Sequence, residues 1–381
     1  MQKKHKENHL KSYAIKSMDS KGRIFHEEQD PLRTFFQRDR DRIIHSSSFR
    51  RLKHKTQVFV NTEGDHYRTR LTHSMEVSQI SRTIARYLGL NEDLCEALSL
   101  AHDLGHTPFG HAGEDVLNKS MSNYGGFDHN IQTLRILTLL ENKYYRFVGL
   151  NLTIETLDGL IKHNGPIENI KKFDKILKIN SFKNKIILKN FSSLEAQVAS
   201  ICDDIAYNNH DLEDGLRAEL FTINQLKSIP FVSQIIKKNL KRTKLYRREI
   251  IVNQIVRKLI SEMVMDVIKT TEKNLNKIKP RNINDIYKQN RLIVDFSTAM
   301  KKTDKQIKAF LKENMYNHKK VIKNTNNCKK IMNDLFIFLI KEPKKYIDKN
   351  LLKKQSLERS VSDFIAGMTD RYAINLHKKI K

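Results

Sequence analysis

The chain has 381 residues, of which 39% are hydrophobic and 8% aromatic, so it can bury a core and is not a disordered protein. Its three cysteines lack CxxC spacing, which excludes a disulfide framework and a zinc ribbon and is typical of a reducing cytoplasm. No run reaches 18 apolar residues and the N-terminal stretch is polar, so we expect a cytoplasmic protein without a membrane span.

The formal net charge is +27, from 70 Lys and Arg residues against 43 Asp and Glu. Such a charge attracts polyanions, which include nucleotide phosphates and the nucleic-acid backbone. The simpler explanation is that lysines cover the solvated faces of helices. Binding of single-stranded nucleic acid is therefore a secondary prediction, with the lysines of 237–248 as its candidate surface.

Helices should dominate the fold, because only 13 Gly and 6 Pro interrupt the chain and apolar residues recur three and four apart. We predict an all-α protein with one main core. Residues 1–30 form a polar N-terminal segment, 31–230 the core, and 231–381 a basic helical region that completes the substrate pocket. Within the core, the arginine-rich stretch 31–59 predicts a helix followed by a short extended piece.

Two amphipathic helices carry the first candidate site residues. The first ends at Gly89, and His73 falls at or just before its start. The second begins with Asn91 as a cap and brings His102 and Asp103 to its C-terminal end.

A third amphipathic helix covers SSLEAQVASICDDIAYNNHDLEDGL. Its apolar residues lie three to four positions apart. Asp203, Tyr207 and Asp211 recur every four residues, so they share one face of this helix and point into one cleft.

The segment HDLGHTPFGHAGE is the densest group of chemically active side chains in the sequence. An adjacent His-Asp pair can hold one divalent ion, although such a pair alone is more often a capping Asp beside a packed His. Gly105, Pro108, Gly110 and Gly113 favour turns over a continuing helix, so the loop can direct several imidazoles to one point. This density favours a metal-assisted phosphate site over a purely structural loop.

At this segment the chain resembles the HD-domain deoxynucleoside triphosphate triphosphohydrolases, especially the bacterial dGTPase-like proteins. The resemblance covers most of residues 30–215 and returns at the C-terminus. The matching pieces, in order, are RDRDRIIHSSSFRRLKHKTQVF, GDHYRTRLTHSMEVSQISRTIAR, AHDLGHTPFGHAGE, FDHNIQTLRIL, CDDIAYNNHDLEDG and DFIAGMTDRYA. It implies an HD-domain helical fold with additional C-terminal helices.

The family's metal-binding pattern maps onto four residues of this sequence, which are His73, His102, Asp103 and Asp203. Two imidazoles and two carboxylates suit Mn²⁺, Mg²⁺, Fe²⁺ or Co²⁺ better than a structural zinc ion, which more often has thiolate ligands. The resemblance thus implies a divalent metal cofactor.

The resemblance further implies that His111 is the catalytic imidazole, with Glu114 to orient it and His106 facing the phosphates. Attack of water on the α-phosphorus requires an acid for the departing 5′ oxygen, and His111 can supply that proton. The alternative for His111 and Glu114 is a hydrogen-bonded pair that only stabilises the loop.

Four residues are implied to contact the substrate. Arg70, three residues before His73, can clamp phosphate oxygens in a bidentate way. The resemblance implies phosphate contact for Tyr207 and contact with the 3′-hydroxyl for Asp211. Gln57 matches a glutamine that reads the sugar at C2′, with an ordinary solvent-facing glutamine as its alternative.

Three more residues fall in matching segments with less defined roles. His129 belongs to a family segment near the site. Arg371 and Tyr372, which follow Asp370, are implied to contact base, sugar or phosphates. A packing tyrosine beside a surface arginine is the alternative.

The leading hypothesis is metal-dependent hydrolysis of dNTPs, including dGTP, to deoxynucleoside and inorganic triphosphate. One alternative is an HD phosphohydrolase that acts on another nucleotide phosphoester. The other is a basic nucleic-acid-binding protein with a degenerate HD core. The resemblance further implies a homo-oligomer and an activating dNTP.

Overall fold

A computed structural model describes residues 7–58, 67–170, 185–240 and 247–381. Within these ranges the protein is built from helices, and the only β-type pairings are isolated bridges between Arg23 and Thr153 and between Thr56 and Thr69. The predicted all-α class is confirmed. Residues 1–6 of the predicted N-terminal segment, and 241–246 of the predicted lysine surface, lie outside the described residues.

The described ranges contain seventeen α-helices. In chain order they are α1 Phe35–Ile44, α2 Ser47–Arg51, α3 Arg70–Leu88, α4 Glu92–Ala101, α5 His111–Ser120, α6 His129–Arg135, α7 Ile154–Ile161, α8 Leu194–Arg217, α9 Ile223–Leu226, α10 Pro230–Leu240, α11 Arg248–Ile278, α12 Ile283–Tyr287, α13 Thr298–Leu311, α14 Lys319–Lys341, α15 Lys349–Lys354, α16 Leu357–Ala366 and α17 Asp370–Ile380. Short 3₁₀ segments cover Ser17–Asp19, Leu52–His54, Ser122–Tyr124 and Pro343–Lys345, and π segments cover Ile136–Leu140 and Lys312–Tyr316.

The helices α3, α4 and α8 form the centre of the core, because their apolar stripes face one another. Gly89 ends α3 in the left-handed conformation at φ 67°, and the Asn91 side chain accepts a hydrogen bond from the Leu94 N–H at the start of α4. Both sequence-predicted caps are confirmed. His73 lies inside the first turn of α3 instead of at or before its start.

The N-terminal segment is part of the core. Leu10, Ala14 and Ile15 are buried, so the polar composition of residues 1–30 conceals a short apolar anchor. Arg23 is buried as well, and its guanidinium donates to the Asp39 carboxylate at 2.5 Å and to the Asn151 carbonyl at 2.6 Å.

The C-terminal helices pack directly onto the loop and helix that follow the His-Asp pair. One buried cluster joins Phe109 and Leu117 to Leu335 of α14 and Val361 of α16. The C-terminal helices α14 and α16 therefore support the loop, whereas Met263 and Val267 of α11 pack in the same buried cluster as α3 and α8. No helix of the described ranges is long and apolar enough to cross a membrane.

Candidate metal centre and catalytic loop

Three predicted metal ligands converge where α3, α4 and α8 meet. His73 in α3, His102 at the C-cap of α4 and Asp203 in α8 each place one ligand atom within 4.8 Å of the others. Asp203 Oδ1 lies 2.9 Å from His73 Nε2 and 3.5 Å from His102 Nε2. Helix packing thus brings together residues that are 130 positions apart in the sequence.

The fourth predicted ligand, Asp103, lies beside this group. Its Oδ1 is 3.5 Å from His102 Nε2 and 3.1 Å from His106 Nε2, and its Oδ2 accepts a hydrogen bond from Arg70 at 3.0 Å. Burial alone would raise the pKa of Asp103, but Arg70 and the two histidines outweigh burial and hold that pKa well below its usual range. Asp103 is therefore an anion in a largely dehydrated position.

The chemistry of this donor set fits a divalent cation. His102 Nδ1 donates to the Ser99 carbonyl at 2.7 Å, so Nε2 is the ring nitrogen that faces the two carboxylates. That Nε2 atom is buried and has no hydrogen-bond partner among the described residues. Burial would lower the pKa of His102, but Asp103 and Asp203 raise it to about 9. The same negative potential would stabilise a bound cation.

Sequence reasoning missed two histidines that support this centre. His163 follows α7, and its Nε2 lies 3.3 Å from Asp203 Oδ2. His210 Nδ1 lies 3.4 Å from His73 Nδ1, and His210 Nε2 lies 3.3 Å from the Glu76 carboxylate. His210 is seven residues after Asp203 on α8, so helical periodicity could have revealed it. His163 has no such sequence signature.

Glu114 is the centre of the predicted catalytic group. It accepts hydrogen bonds from the backbone N–H and the Nδ1 of His129, at 3.0 and 2.8 Å. His111 Nδ1 lies 3.5 Å from the other carboxylate oxygen, and the His111 side chain remains 64% exposed. Burial would raise the pKa of Glu114, but the hydrogen bonds from His111 and His129 lower it. The pair is an ionised carboxylate beside an accessible imidazole.

His106 connects this group to Asp103. Its ring stacks on His129 with a centroid separation of 4.0 Å and an interplanar angle of 19°. Burial and the nearby Arg70 guanidinium hold the pKa of His106 well below its usual range, so this imidazole is neutral. The ligand atoms of His106, Glu114 and His129 also lie within 4.8 Å of one another. However, nearly parallel rings are poorly arranged to direct both lone pairs at one ion.

The backbone between His106 and His111 is tightly constrained. Phe109 adopts φ 60° and Gly110 φ 55°, a left-handed pair that turns the chain sharply before α5. Gly113 was predicted as a turn residue, but it lies inside α5. It is required for close packing, because a Cβ there would lie 2.2 Å from the Pro108 carbonyl oxygen.

Tyr207 and Asp211, the predicted phosphate and 3′-hydroxyl contacts, lie on α8 with one unpredicted partner. Tyr316, from the C-terminal region, donates a hydrogen bond to Asp211, and its ring centroid lies 6.5 Å from that of Tyr207. Burial raises the pKa of Asp211 to about 8, and the Tyr316 hydrogen bond offsets only part of this effect. Gln57 is 7% exposed, and its Oε1 is buried without a hydrogen-bond partner among the described residues. It is not a solvent-facing glutamine.

Arg371 and Tyr372 form no hydrogen bond or ion pair with the predicted metal ligands among the described residues. Both are exposed on α17, and the Tyr372 ring packs edge-on against Phe364 at 6.5 Å. Their neighbour Asp370 is 2% exposed and bonds to Thr56 and Phe109 instead. Substrate contact by Arg371 and Tyr372 stays a prediction.

Comparisons with known proteins identify the class and then the family. A family model described as "HD domain" matches residues 70–208, and one described as "Phosphohydrolase-associated domain" matches residues 294–379. A "Deoxyguanosinetriphosphate triphosphohydrolase-like protein" of Pelagibacter ubique is 57% identical over 361 residues, which are 95% of this chain and 97% of the relative. A protein of the same name from Bartonella tribocorum is 49% identical over 378 residues, covering 97% of this chain and 94% of that one.

The protein is therefore an HD-domain phosphohydrolase. It belongs to the deoxyguanosinetriphosphate triphosphohydrolase-like family, as the resemblance predicted.

Proposed function

We propose that the protein hydrolyses deoxynucleoside triphosphates, dGTP among them, to deoxynucleoside and inorganic triphosphate. The observation that carries this proposal is the grouping of His73, His102 and Asp203 beside Arg70 and the Glu114 group. The printed names of the relatives support the substrate class.

In this proposal His73, His102, Asp103 and Asp203 hold Mn²⁺, Mg²⁺, Fe²⁺ or Co²⁺. Such an ion, when bound, neutralises phosphate charge and polarises water. Its affinity should depend on pH, because His102 must lose its proton to act as a ligand.

The remaining roles follow from the charges of the side chains. Arg70 Nη1 donates a hydrogen bond to Asp103, so the guanidinium is held at the metal centre and can pair with phosphate oxygens. His111 is exposed and its Nδ1 lies 3.5 Å from the Glu114 carboxylate, which suits it to give a proton to the departing 5′ oxygen. Neutral His106 donates a hydrogen bond without adding charge, and His129 fixes Glu114.

The sugar would lie near Gln57 and Asp211, with Tyr207, one helical turn before Asp211, in contact with phosphate. A buried amide oxygen without a partner gains a hydrogen bond when a ligand arrives, so Gln57 is suited to read the sugar. Asp211 can exchange its Tyr316 hydrogen bond for one with the 3′-hydroxyl. An activating dNTP, a homo-oligomer, binding of single-stranded nucleic acid and a cytoplasmic location stay predictions.

The test is incubation of the purified protein with each dNTP, alone and in pairs, in Mn²⁺ or Mg²⁺, with products separated by ion exchange. Asp203→Asn should abolish triphosphate release. Asp204→Asn is the matched control, because Asp204 is the adjacent, exposed carboxylate bonded to Lys308, and it should keep activity within about twofold.

If all dNTPs remain intact with the wild-type protein, the proposed substrate is wrong. Release of monophosphate or pyrophosphate would contradict attack at the α-phosphorus with a nucleoside leaving group. Equal activity of the Asp203 and Asp204 variants would contradict the proposed metal centre.

A further inference from the structure

Lys55 is a buried cation to which neither the metal centre nor the proposed reaction assigns a role. It is 1% exposed, and its ammonium donates hydrogen bonds to the carbonyls of His106 and Ala366, the latter at 2.8 Å. Burying a charge is costly unless it is fully hydrogen-bonded, and burial lowers the pKa of Lys55 to about 7, so the side chain is a cation below that pH. Lys55 therefore joins His106, the first residue of the loop 106–110 that we call the catalytic loop, to the end of α16.

Asp370 makes the complementary connection from the start of α17. One carboxylate oxygen accepts hydrogen bonds from the backbone N–H of Thr56, at 2.8 Å, and from the Thr56 hydroxyl. The other accepts from the Phe109 N–H at 3.0 Å. Phe109 is the left-handed residue of the loop, so the bond fixes a conformation that a non-glycine residue rarely adopts.

Residues 55–57 also contact Arg70 and its neighbours, which are proposed to face the substrate. The Arg70 N–H donates to the Lys55 carbonyl at 3.2 Å, and Thr56 forms an isolated bridge with Thr69. A Cβ on Gly110 would lie 3.0 Å from the Arg70 guanidinium and 3.5 Å from the Gln57 carbonyl. A shift of residues 55–57 would therefore move the loop and Arg70 together.

We propose that Lys55 and Asp370 are positioning residues that let the C-terminal helices hold residues 106–110 in the shape that presents His106 and His111 to the substrate. The proposal concerns catalysis and so rests on the proposed function. Neither side chain touches substrate in this scheme. The strained turn at Phe109 and Gly110 is maintained from two sides, by a cation at His106 and a carboxylate at Phe109.

The experiment compares Lys55→Met with Arg359→Met. Arg359 is also a buried cation that joins the C-terminal helices to two backbone carbonyls, those of Tyr124 and Gly126, both at 2.9 Å. The Arg359 guanidinium contacts the turn after α5, outside the catalytic loop. Each substitution removes a cation that donates to two carbonyls. A difference between the two variants therefore reports on positioning of the catalytic loop and not on general stability.

Thermal unfolding, dNTP hydrolysis, and hydrogen–deuterium exchange of peptides covering 102–112 and 121–128 are measured on the full chain. Lys55→Met should lower kcat about 10- to 100-fold, with KM and the Kd for Mn²⁺ changed less than about threefold, and should speed exchange in 102–112. Arg359→Met should keep kcat within about threefold and speed exchange in 121–128 instead.

If Lys55→Met does not fold, Thr56→Val decides the matter, because it removes one bond to Asp370 and retains the shape of the side chain. Equal losses of kcat in the Lys55 or Thr56 variant and in the Arg359 variant would overturn the proposal, as would unchanged exchange in 102–112. If the wild-type protein hydrolyses no dNTP, the exchange data still decide whether these residues hold the loop. Failure of the substrate assignment is thus distinguishable from failure of this inference.

Discussion

Asp211→Asn should make the protein more stable and less active. Asp211 is 1% exposed and keeps one hydrogen bond, from the Tyr316 hydroxyl. Burial raises its pKa to about 8, whereas a carboxyl in an unfolded chain titrates near pH 4. The folded protein therefore keeps a proton that the unfolded chain releases between about pH 4 and 8, and its stability falls as pH rises through that interval.

The size of the effect follows from the two pKa values. Each pH unit between them corresponds to about 1.4 kcal/mol, so the limiting cost of this one carboxyl at pH 8 is on the order of 5 kcal/mol. Structural relaxation and water entry reduce this limit. We expect the asparagine variant to unfold at least about 2 °C higher than the wild type at pH 8 and at the same temperature near pH 4.

Scanning calorimetry of both proteins from pH 4 to 9 gives the Tm difference. Asp19→Asn, at an exposed site, is the control and should show no trend. Above pH 8 the variant should also lose at least about tenfold in kcat/KM for dNTPs, since an amide accepts the 3′-hydroxyl less strongly than the ionised carboxylate does. A Tm difference that is flat or falls with pH would refute the reasoning.

Three further outcomes are expected. His163→Gln should weaken Mn²⁺ binding about tenfold in calorimetric titration, because it releases Asp203, and an unchanged Kd would show that this contact has no role. His111→Asn should lower kcat by about 10² to 10⁴ in steady-state assays while the Kd for Mn²⁺ stays constant, and a parallel loss of metal would contradict its role as the acid. Gly113→Ala should lower the Tm measurably, because its Cβ meets the Pro108 carbonyl, and an equal Tm would show that α5 can shift.

The helices that carry the site were predictable because their information is local. Apolar spacing identified α3, α4 and α8, and the caps at Gly89 and Asn91 fixed the adjoining ends of α3 and α4. Asp203, Tyr207 and Asp211 share a face by helical geometry alone. The placing of His73 beside Asp203 came from family resemblance, since no periodic pattern reports on pairs 130 residues apart.

The rest depended on tertiary contacts. Tyr316 lies in a π segment of the C-terminal region and reaches Asp211 across 105 residues. His163 follows α7 without a periodic pattern around it. Gly113 was read as a turn because glycine usually signals one, whereas here the absence of a Cβ permits the close approach of Pro108. Nothing in the sequence distinguishes Lys55 from the other lysines, because composition does not report burial.

The contact between Arg23, Asp39 and Asn151 also constrains the order in which the chain can fold during synthesis. Asn151 follows Arg23 by 128 residues, and Thr153, which donates to Asp39 from its backbone N–H at 2.9 Å, follows Asp39 by 114. At ordinary translation rates the N-terminal segment waits roughly 10 s for these partners. A buried carboxylate and guanidinium cannot enter the core before their hydrogen bonds are complete. The N-terminal segment therefore cannot dock into the core before Asn151 and Thr153 have left the ribosome, although it is the first part of the chain to be made.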